Sequence, residues 1–273
     1  MNLSVVVSTY NQPEWLSKVL HGYLNQTHED FEVIIADDGS DERTRVVVQR
    51  FQHLAKFQIK HVWQEDDGFQ KTRILNKSIT AATADYLVFT DGDCIPRRDF
   101  LAVHARHAAP RKFLSGGYCK LSEHLSHAID EADIRCGSAF ELRWLRARGF
   151  HGISRAIRIA TPLPFASLLD AITPTKATWN GHNASGWKAD ILAVNGFNEL
   201  MQYGGEDREL GERLTNLGVS GLQIRHRAIT LHLDHQRGYA TQEAIDKNRA
   251  IRDQVIASHR TWCPDGIEKR PKP

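Results

Sequence analysis

The 273 residues include only four cysteines, Cys94, Cys119, Cys136 and Cys263, spaced too widely for a dense disulfide framework. No Cys-x-x-Cys pair occurs, which argues against a zinc ribbon or a thioredoxin-type site and suits idle thiols in a reducing compartment. No apolar run approaches the roughly 18 residues that a membrane-spanning helix needs. Met1-Asn2-Leu3-Ser4 has no basic n-region, so Leu3–Ser8 reads as a strand and not as a signal peptide. One-sided charge is also missing: 35 Lys+Arg against 33 Asp+Glu give +2, too near neutrality to point to nucleic acid. With 41% hydrophobic and 25% charged residues, the chain reads as a cytoplasmic globule with ample material for a core.

The first hundred residues alternate strand and helix. Leu3–Ser8, Phe31–Ala36, Gln58–Trp63 and Tyr86–Thr90 are short β-branched or apolar runs, as expected of strands. Helical patterns separate them, from Pro13, from Ser40 through Leu54, and over Gln70–Ala82. Such alternation implies right-handed crossovers and an α/β fold with a mostly parallel sheet. Ligands of these sheets sit beyond the carboxyl ends of the strands. The polar clusters Thr9-Tyr10-Asn11, Asp37-Asp38, Glu65-Asp66-Asp67 and Asp91-Gly92-Asp93 all fall there. Further on, Lys112–Leu121 and Val219–Leu231 read as strands, residues 122–176 as a helical Arg-rich insertion, and Glu206–Leu217 and Thr241–His259 as helices. The tail Lys269–Pro273 is expected to fray.

Asp91 and Asp93 close an apolar strand with one residue between them. In an extended chain such residues face the same side, so two hard oxygen ligands would share one space, as Mg²⁺ or Mn²⁺ bound with a phosphate requires. Gly92 would leave room for the ligand. The blander alternative is an ordinary Asp-Gly turn.

At these residues a resemblance emerges. Ser8-Thr9-Tyr10-Asn11, Ala36-Asp37-Asp38-Gly39-Ser40 and Asp91-Gly92-Asp93 resemble the nucleotide-sugar half of family-2 glycosyltransferases with the GT-A fold. Trp179–Trp187, Gly196-Phe197 and Tyr203-Gly204-Gly205-Glu206-Asp207 resemble the acceptor half of chondroitin-polymerase and β-1,4-galactosyltransferase-type enzymes. The resemblance covers about residues 3–235. It implies one GT-A domain with a nucleotide-sugar half (1–120), a helical insertion (122–176), an acceptor and catalytic half (177–235) and a C-terminal helix and tail (236–273).

By the same resemblance, Thr9 and Asn11 hold the uridine, and a carboxylate of Asp37 or Asp38 accepts from uracil N3–H, making UDP the carrier. Lys71 matches a basic residue that contacts UDP, with Arg73 a second candidate on the same helix. Asp91 lies near ribose and metal, and Asp93 ligates a Mn²⁺ or Mg²⁺ directly. His232 matches a metal-ligating histidine better than His235 does. His182 and Asn183 line the donor sugar, Asp207 is the general base, and Glu206 is a sugar contact. The implied reaction is inverting transfer from a UDP-sugar to a saccharide or glycolipid hydroxyl, in bacterial lipopolysaccharide, capsule or other surface-glycan synthesis.

Arg135, Arg143, Arg146, Arg148, Arg155 and Arg158 stand against one acid, Glu141, with Phe140, Trp144, Leu145, Phe150, Ile153 and Ile157 interleaved. This mixture suits an anionic glycan or peripheral contact with an anionic inner membrane through residues 135–158; a solvated helix face is the alternative. Two other functions stay open. A nucleotide-sugar-forming nucleotidyltransferase would have a Gly-rich basic loop after the first strand, which Ser8–Pro13 lacks. A catalytically dead glycan-binding relative would not need Asp91, Asp93, Glu206, Asp207 and His232 together.

Overall fold

The computed structural model describes residues 1–235 and 241–269, without the side chains of Ser154, Arg155, Leu163 and Pro164. The expectations for Arg155 and for the tail beyond Lys269 fall outside the described residues. The expected alternation opens the chain: β1 (Leu3–Thr9), α1 (Pro13–Leu24), β2 (Phe31–Asp37), α2 (Glu42–Leu54), β3 (Ile59–Trp63), α3 (Lys71–Ala81) and β4 (Tyr86–Asp91). Next come β5 (Cys94–Pro96), α4 (Phe100–His107), β6 (Lys112–Ser115) and β7 (Gly117–Lys120). The insertion is helical throughout: α5 (Glu123–Ala128), α6 (Glu131–Cys136), a 3₁₀ turn at Ser138–Phe140, α7 (Leu142–Ala147), α8 (Ile153–Ala160) and α9 (Leu163–Ile172). β8 (Ala184–Trp187), α10 (Lys188–Ala193), α11 (Glu206–Asn216), β9 (Ser220–Gln223), β10 (Ile229–His232) and α12 (Gln242–Ala257) complete the order.

Seven strands form one sheet in the order β3-β2-β1-β4-β8-β6-β9. Only β8 runs antiparallel to its neighbours. Because successive strand residues face opposite sides, Val5, Val7, Val33 and Ile35 enter one core with Leu16, Val19 and Leu20, while Val6, Ile34 and Phe89 enter the other with Ile74 and Trp179. Each such aliphatic side chain contributes roughly 1.5–3 kcal/mol by leaving water. Asp41 starts α2 by accepting from Arg43 N at 3.0 Å, and Pro13 starts α1, where its missing N–H is harmless.

A second sheet, β5-β10-β7, was not apparent from sequence patterning. The expected strands Lys112–Leu121 and Val219–Leu231 each divide between the two sheets. The first breaks at Gly116, where a β-carbon would overlap the Asn183 side chain. The second breaks at a turn pinned by Asp170, which accepts from His226 N at 2.9 Å. Neither partner is near in sequence, so local pattern carries no trace of the break.

Candidate functional site

The loops after β1 and β2 interlock. Asn11, at φ 48°, donates its backbone N–H to Ser40 Oγ at 2.8 Å and accepts from Asp41 N through Oδ1 at 2.9 Å. Asp37 is buried, with Oδ1 accepting from Ser40 N at 2.8 Å and Oδ2 lying 2.8 Å from His61 Nε2. Asp38 Oδ1 accepts from Gln64 Nε2 at 2.6 Å and Oδ2 from Gln70 N at 2.9 Å. Burial still pushes the Asp38 carboxyl up to about 6. Thr9 Oγ1 is buried and has no partner among the described residues.

The start of α3 delivers Lys71, whose Nζ lies 2.6 Å from Asp91 Oδ1; that oxygen also accepts from Ser8 Oγ at 2.7 Å. Burial disfavours both charges, but each is held by the other. Asp91, Glu206 and Asp207 keep Lys71 well above the ordinary lysine range, while Lys71 and Ser8 keep Asp91 well below the usual carboxylate range.

Glu206 and Asp207 open α11, at the end where a helix favours negative charge. The turn into it runs through Gly205 at φ 94°, a conformation that β-carbons resist. Glu206 Oε2 accepts from Gly204 N at 2.9 Å; burial, then the charge of Asp207, raises its carboxyl to about 7. Asp207 Oδ2 accepts from Gly181 N at 2.9 Å and Oδ1 from Arg208 N at 2.7 Å. A β-carbon on Gly181 would sit 3.5 Å from Lys71 Nζ and 3.9 Å from Asp207 Oδ2. The lysine of the first half and the aspartate of the second therefore flank one glycine. His182 follows, half-buried, its ring edge-on to Tyr118 at 4.5 Å; desolvation lowers it to about 4 against the pull of Asp91 and Asp207.

The small sheet builds the other flank. His232 pairs with Cys94 across β10 and β5, and Leu233 N donates to Asp93 O at 2.8 Å. Asp93 Oδ2 lies 2.9 Å from His235 Nε2, and Oδ1 lies 3.9 Å from His232 Nε2. The two imidazoles stack at 5.6 Å. His232 Nδ1 is 2.8 Å from Leu233 O, which can only accept, so Nδ1 carries the proton. In the neutral ring Nε2 then turns a lone pair toward a carboxylate oxygen. Two acceptors facing each other this way fit a cation between them. Ligand atoms of Asp93, Cys94 and His232 fall within 4.8 Å of one another. Burial, then the charge of Asp93, pushes the Cys94 thiol well above its usual range and leaves it the poorest donor. The group close enough to share a cation is thus one carboxylate, one imidazole and one thiol, with His235 beside it as the partner of Asp93.

Several expected roles need correction. Asp91 and Asp93 do not share one extended face: the chain turns at Gly92, sending Asp91 to Lys71 and Asp93 to the histidines. Asp91 is thus an ion-pair partner of Lys71, still close enough to Asp93 for its charge to oppose that carboxylate's. Gly92 makes room for the protein itself, since a β-carbon there would come within 3.0 Å of Ser8 O and 3.1 Å of Thr9. Asn183 is fully buried; its Nδ2 donates to Gly117 O at 2.8 Å and Ala228 O at 3.0 Å, and its Oδ1 faces His104 Nε2 at 3.0 Å. It ties the two sheets together and has no amide group left for a sugar. Arg73 pairs with Asp67 at 3.6 Å on the half-exposed rim. Asn11 Oδ1 and both carboxylate oxygens of Asp37 also hold the loops together. Tyr118 and Ser8 were missed. No local pattern marks Tyr118, which meets His182 only through β7. His235, ranked second to His232, makes the closer approach to Asp93, and the string His-Leu-Asp-His was its signal.

Comparison with known proteins agrees with this layout. Residues 4–114 match glycosyl transferase family 2, and residues 175–236 match the N-terminal domain of galactosyltransferase. Validoxylamine A glucosyltransferase of Streptomyces hygroscopicus subsp. jinggangensis (strain 5008) is 30% identical over 281 residues, 96% of this chain and 62% of that protein. The chain thus spans 62% and 58% of the length of two validoxylamine A glucosyltransferases and 24% of a hyaluronan synthase of Pasteurella multocida. In structure it is similar to S. aureus TarS 1–349 solved with UDP-GlcNAc, with TM-score 0.64 and 15% identity over 95% of this chain and 71% of that one. It is also similar to the mannosyltransferase PcManGT of Pyrobaculum calidifontis in complex with GDP-Man and Mn²⁺, with TM-score 0.58 and 19% identity over 94% of this chain and 62% of that one. Residues 4–114 are thus similar to glycosyl transferase family 2 and residues 175–236 to a galactosyltransferase segment, on a fold shared with the GT-A glycosyltransferases.

Proposed function

We propose that the chain transfers a sugar from a UDP-sugar to a hydroxyl of a saccharide or glycolipid acceptor, by single displacement with inversion and with Mn²⁺ or Mg²⁺ as cofactor. The observation that carries this reading is the meeting of Lys71, from the family-2 segment, with Asp207, from the galactosyltransferase-type segment, around Gly181. A donor-binding cation and a candidate base then border the same space. In this reading residues 1–120 hold the donor and 177–235 serve acceptor and catalysis, with the insertion 122–176 and residues 236–273 beside them. Bacterial surface-glycan synthesis is the setting that the resemblance favours.

Asp38, ionised above about pH 6, can accept from uracil N3–H beside the free hydroxyl of Thr9. Lys71 faces the negative charge that grows on the departing diphosphate. Asp93 and His232 would hold the divalent cation, with His235 steadying the Asp93 carboxylate, and the cation when bound would add Lewis-acid stabilisation of that charge. Asp207 takes the proton of the acceptor hydroxyl, oriented by the Gly181 and Arg208 N–H groups. Glu206, with its pKa near 7, can donate or accept a hydrogen bond to a sugar hydroxyl at neutral pH.

Calorimetry with UDP and GDP, with and without Mn²⁺, tests the donor site, and hydrolysis of UDP-glucose, UDP-galactose, their N-acetyl forms and UDP-glucuronate tests the sugar. Asp207→Asn is expected to keep UDP affinity while turnover falls by about 10²-fold or more, the scale of a lost general base. Loss of UDP affinity in that variant reassigns Asp207 to the donor side. A nucleoside triphosphate bound in preference to UDP favours nucleotidyl transfer, and no nucleotide binding at all favours a glycan-binding relative.

A further inference from the structure

We infer that α8 and α9 form a docking surface for an anionic lipid bilayer. α9 is built inside out. Its only charged residue, Asp170, is buried toward the protein, with Oδ2 accepting from Arg227 Nε at 2.7 Å and Oδ1 lying 2.9 Å from His226 Nδ1. Ala166 is buried with it. Phe165, Leu168 and Ile172, spaced to share the other face, are 63%, 58% and 63% exposed. α8 repeats the pattern: Ala156 and Ile159 enter the core, while Ile153 and Ile157 are 82% and 45% exposed. Single apolar residues are ordinary on a protein surface; five large ones along two consecutive helices mark an interaction face.

Charge selects the occupant. Residues 142–176 hold six basic residues and a single acid, the buried and paired Asp170. Arg143, Arg146, Arg148 and Lys176 are exposed. Arg146 and His151 line an open cleft together with Ile153 and Phe150, so basic and apolar groups occupy the same piece of surface. Apolar side chains flanked by cations are the make-up of helices that lie in a membrane interface, with the cations on anionic headgroups. A second copy of the chain would set this positive field against itself. A saccharide offers no acyl surface for isoleucine and leucine.

The surface adjoins the candidate site. Arg158 Nη1 donates to Tyr118 O at 2.6 Å, and the Tyr118 ring packs on His182 and His232. A membrane-borne acceptor would arrive beside those rings; this clause rests on the glycosyl-transfer reading, whereas the docking itself does not. Sequence placed membrane contact at the arginines of 135–158. The exposed helices move its centre to 153–172 and make apolar insertion the anchor.

The test is co-sedimentation with vesicles of phosphatidylcholine and phosphatidylglycerol in equal parts, alongside pure phosphatidylcholine. The protein is expected to bind the mixed vesicles, and Phe165→Glu/Leu168→Glu to weaken binding by at least about tenfold, with UDP affinity and urea unfolding unchanged. Arg143→Glu/Arg146→Glu/Arg148→Glu is expected to weaken it comparably, and salt to weaken it in the unaltered protein. Unaltered protein that stays in the supernatant, or variants that bind like it, would overturn the inference. So would a dimer in sedimentation velocity that Phe165→Glu/Leu168→Glu dissolves, since the face would then belong to a second copy.

Discussion

Replacing Glu206 by Gln probes the electrostatics at the start of α11 without touching its geometry, because a Gln side-chain oxygen can still accept from Gly204 N. In the folded protein burial and Asp207 lift the Glu206 carboxyl from 4.5 to about 7. Between those values the native chain keeps a proton that the unfolded chain has released, so stability falls as pH rises through the interval. At about 1.36 kcal/mol per pH unit the total comes to about 3 kcal/mol, most of it developing between pH 5 and pH 8. The amide of the variant cannot ionise and escapes this loss. Urea unfolding of both proteins at pH 5 and pH 8 should show Glu206→Gln gaining on the unaltered protein by about 2 kcal/mol over that range. An offset between the two that does not change with pH would mean that Glu206 titrates as an ordinary surface carboxylate, and its burial beside Asp207 would have to be abandoned.

Other perturbations have equally definite outcomes. Asp93→Ala should abolish the strengthening of UDP binding by Mn²⁺ in calorimetry; an unchanged Mn²⁺ effect would place the cation elsewhere. Asn183→Ala strands the buried Gly117 and Ala228 carbonyls and should destabilise the fold by about 3 kcal/mol or more in urea, at roughly 1–3 kcal/mol per stranded group. UDP affinity of the folded fraction should not change, whereas a selective loss of donor affinity would restore Asn183 to the sugar. Arg213→Met removes the cation from the fully buried Arg213–Glu209 pair, whose closest approach is 2.7 Å, and should destabilise by about 3–5 kcal/mol. A second substitution, Glu209→Leu, should recover much of that loss, and failure to recover would show that packing and not the stranded charge is responsible.

The large sheet was legible because its code is local. β1, β2 and β4 are buried on both faces, so each is a continuous β-branched or apolar run that no other element imitates. Helices α1 and α3 announced themselves by periodicity and by Pro13. The small sheet has strands of three and four residues, too short for a pattern, and its breaks depend on Asn183 and Asp170 arriving from elsewhere in the chain. At the site, residue type predicted location better than duty. Asp37 and Asn183 lie where polar residues were expected, but burial obliges a polar group to find partners, and these found theirs within the protein. Chemistry alone does not distinguish a carboxylate that greets a ligand from one that holds a turn. His235 and His232 are alike in sequence; only the turn after β10 decides which of them meets Asp93 more closely.

The cross-strand seam of β5, β10 and β7 brings Asp93, Cys94 and His232 together from segments near residues 93 and 232, with Tyr118 packed beside them. Strands so brief share few backbone bonds, and none of the three belongs to the long central β1–β2–β4 ladder. Partial opening there requires less free energy than loss of the whole fold. In the proposed reading, release of a cation from the Asp93–Cys94–His232 group would be a local event, leaving the shelf formed by β1 and β2 intact and the pair Lys71–Asp91 still closed.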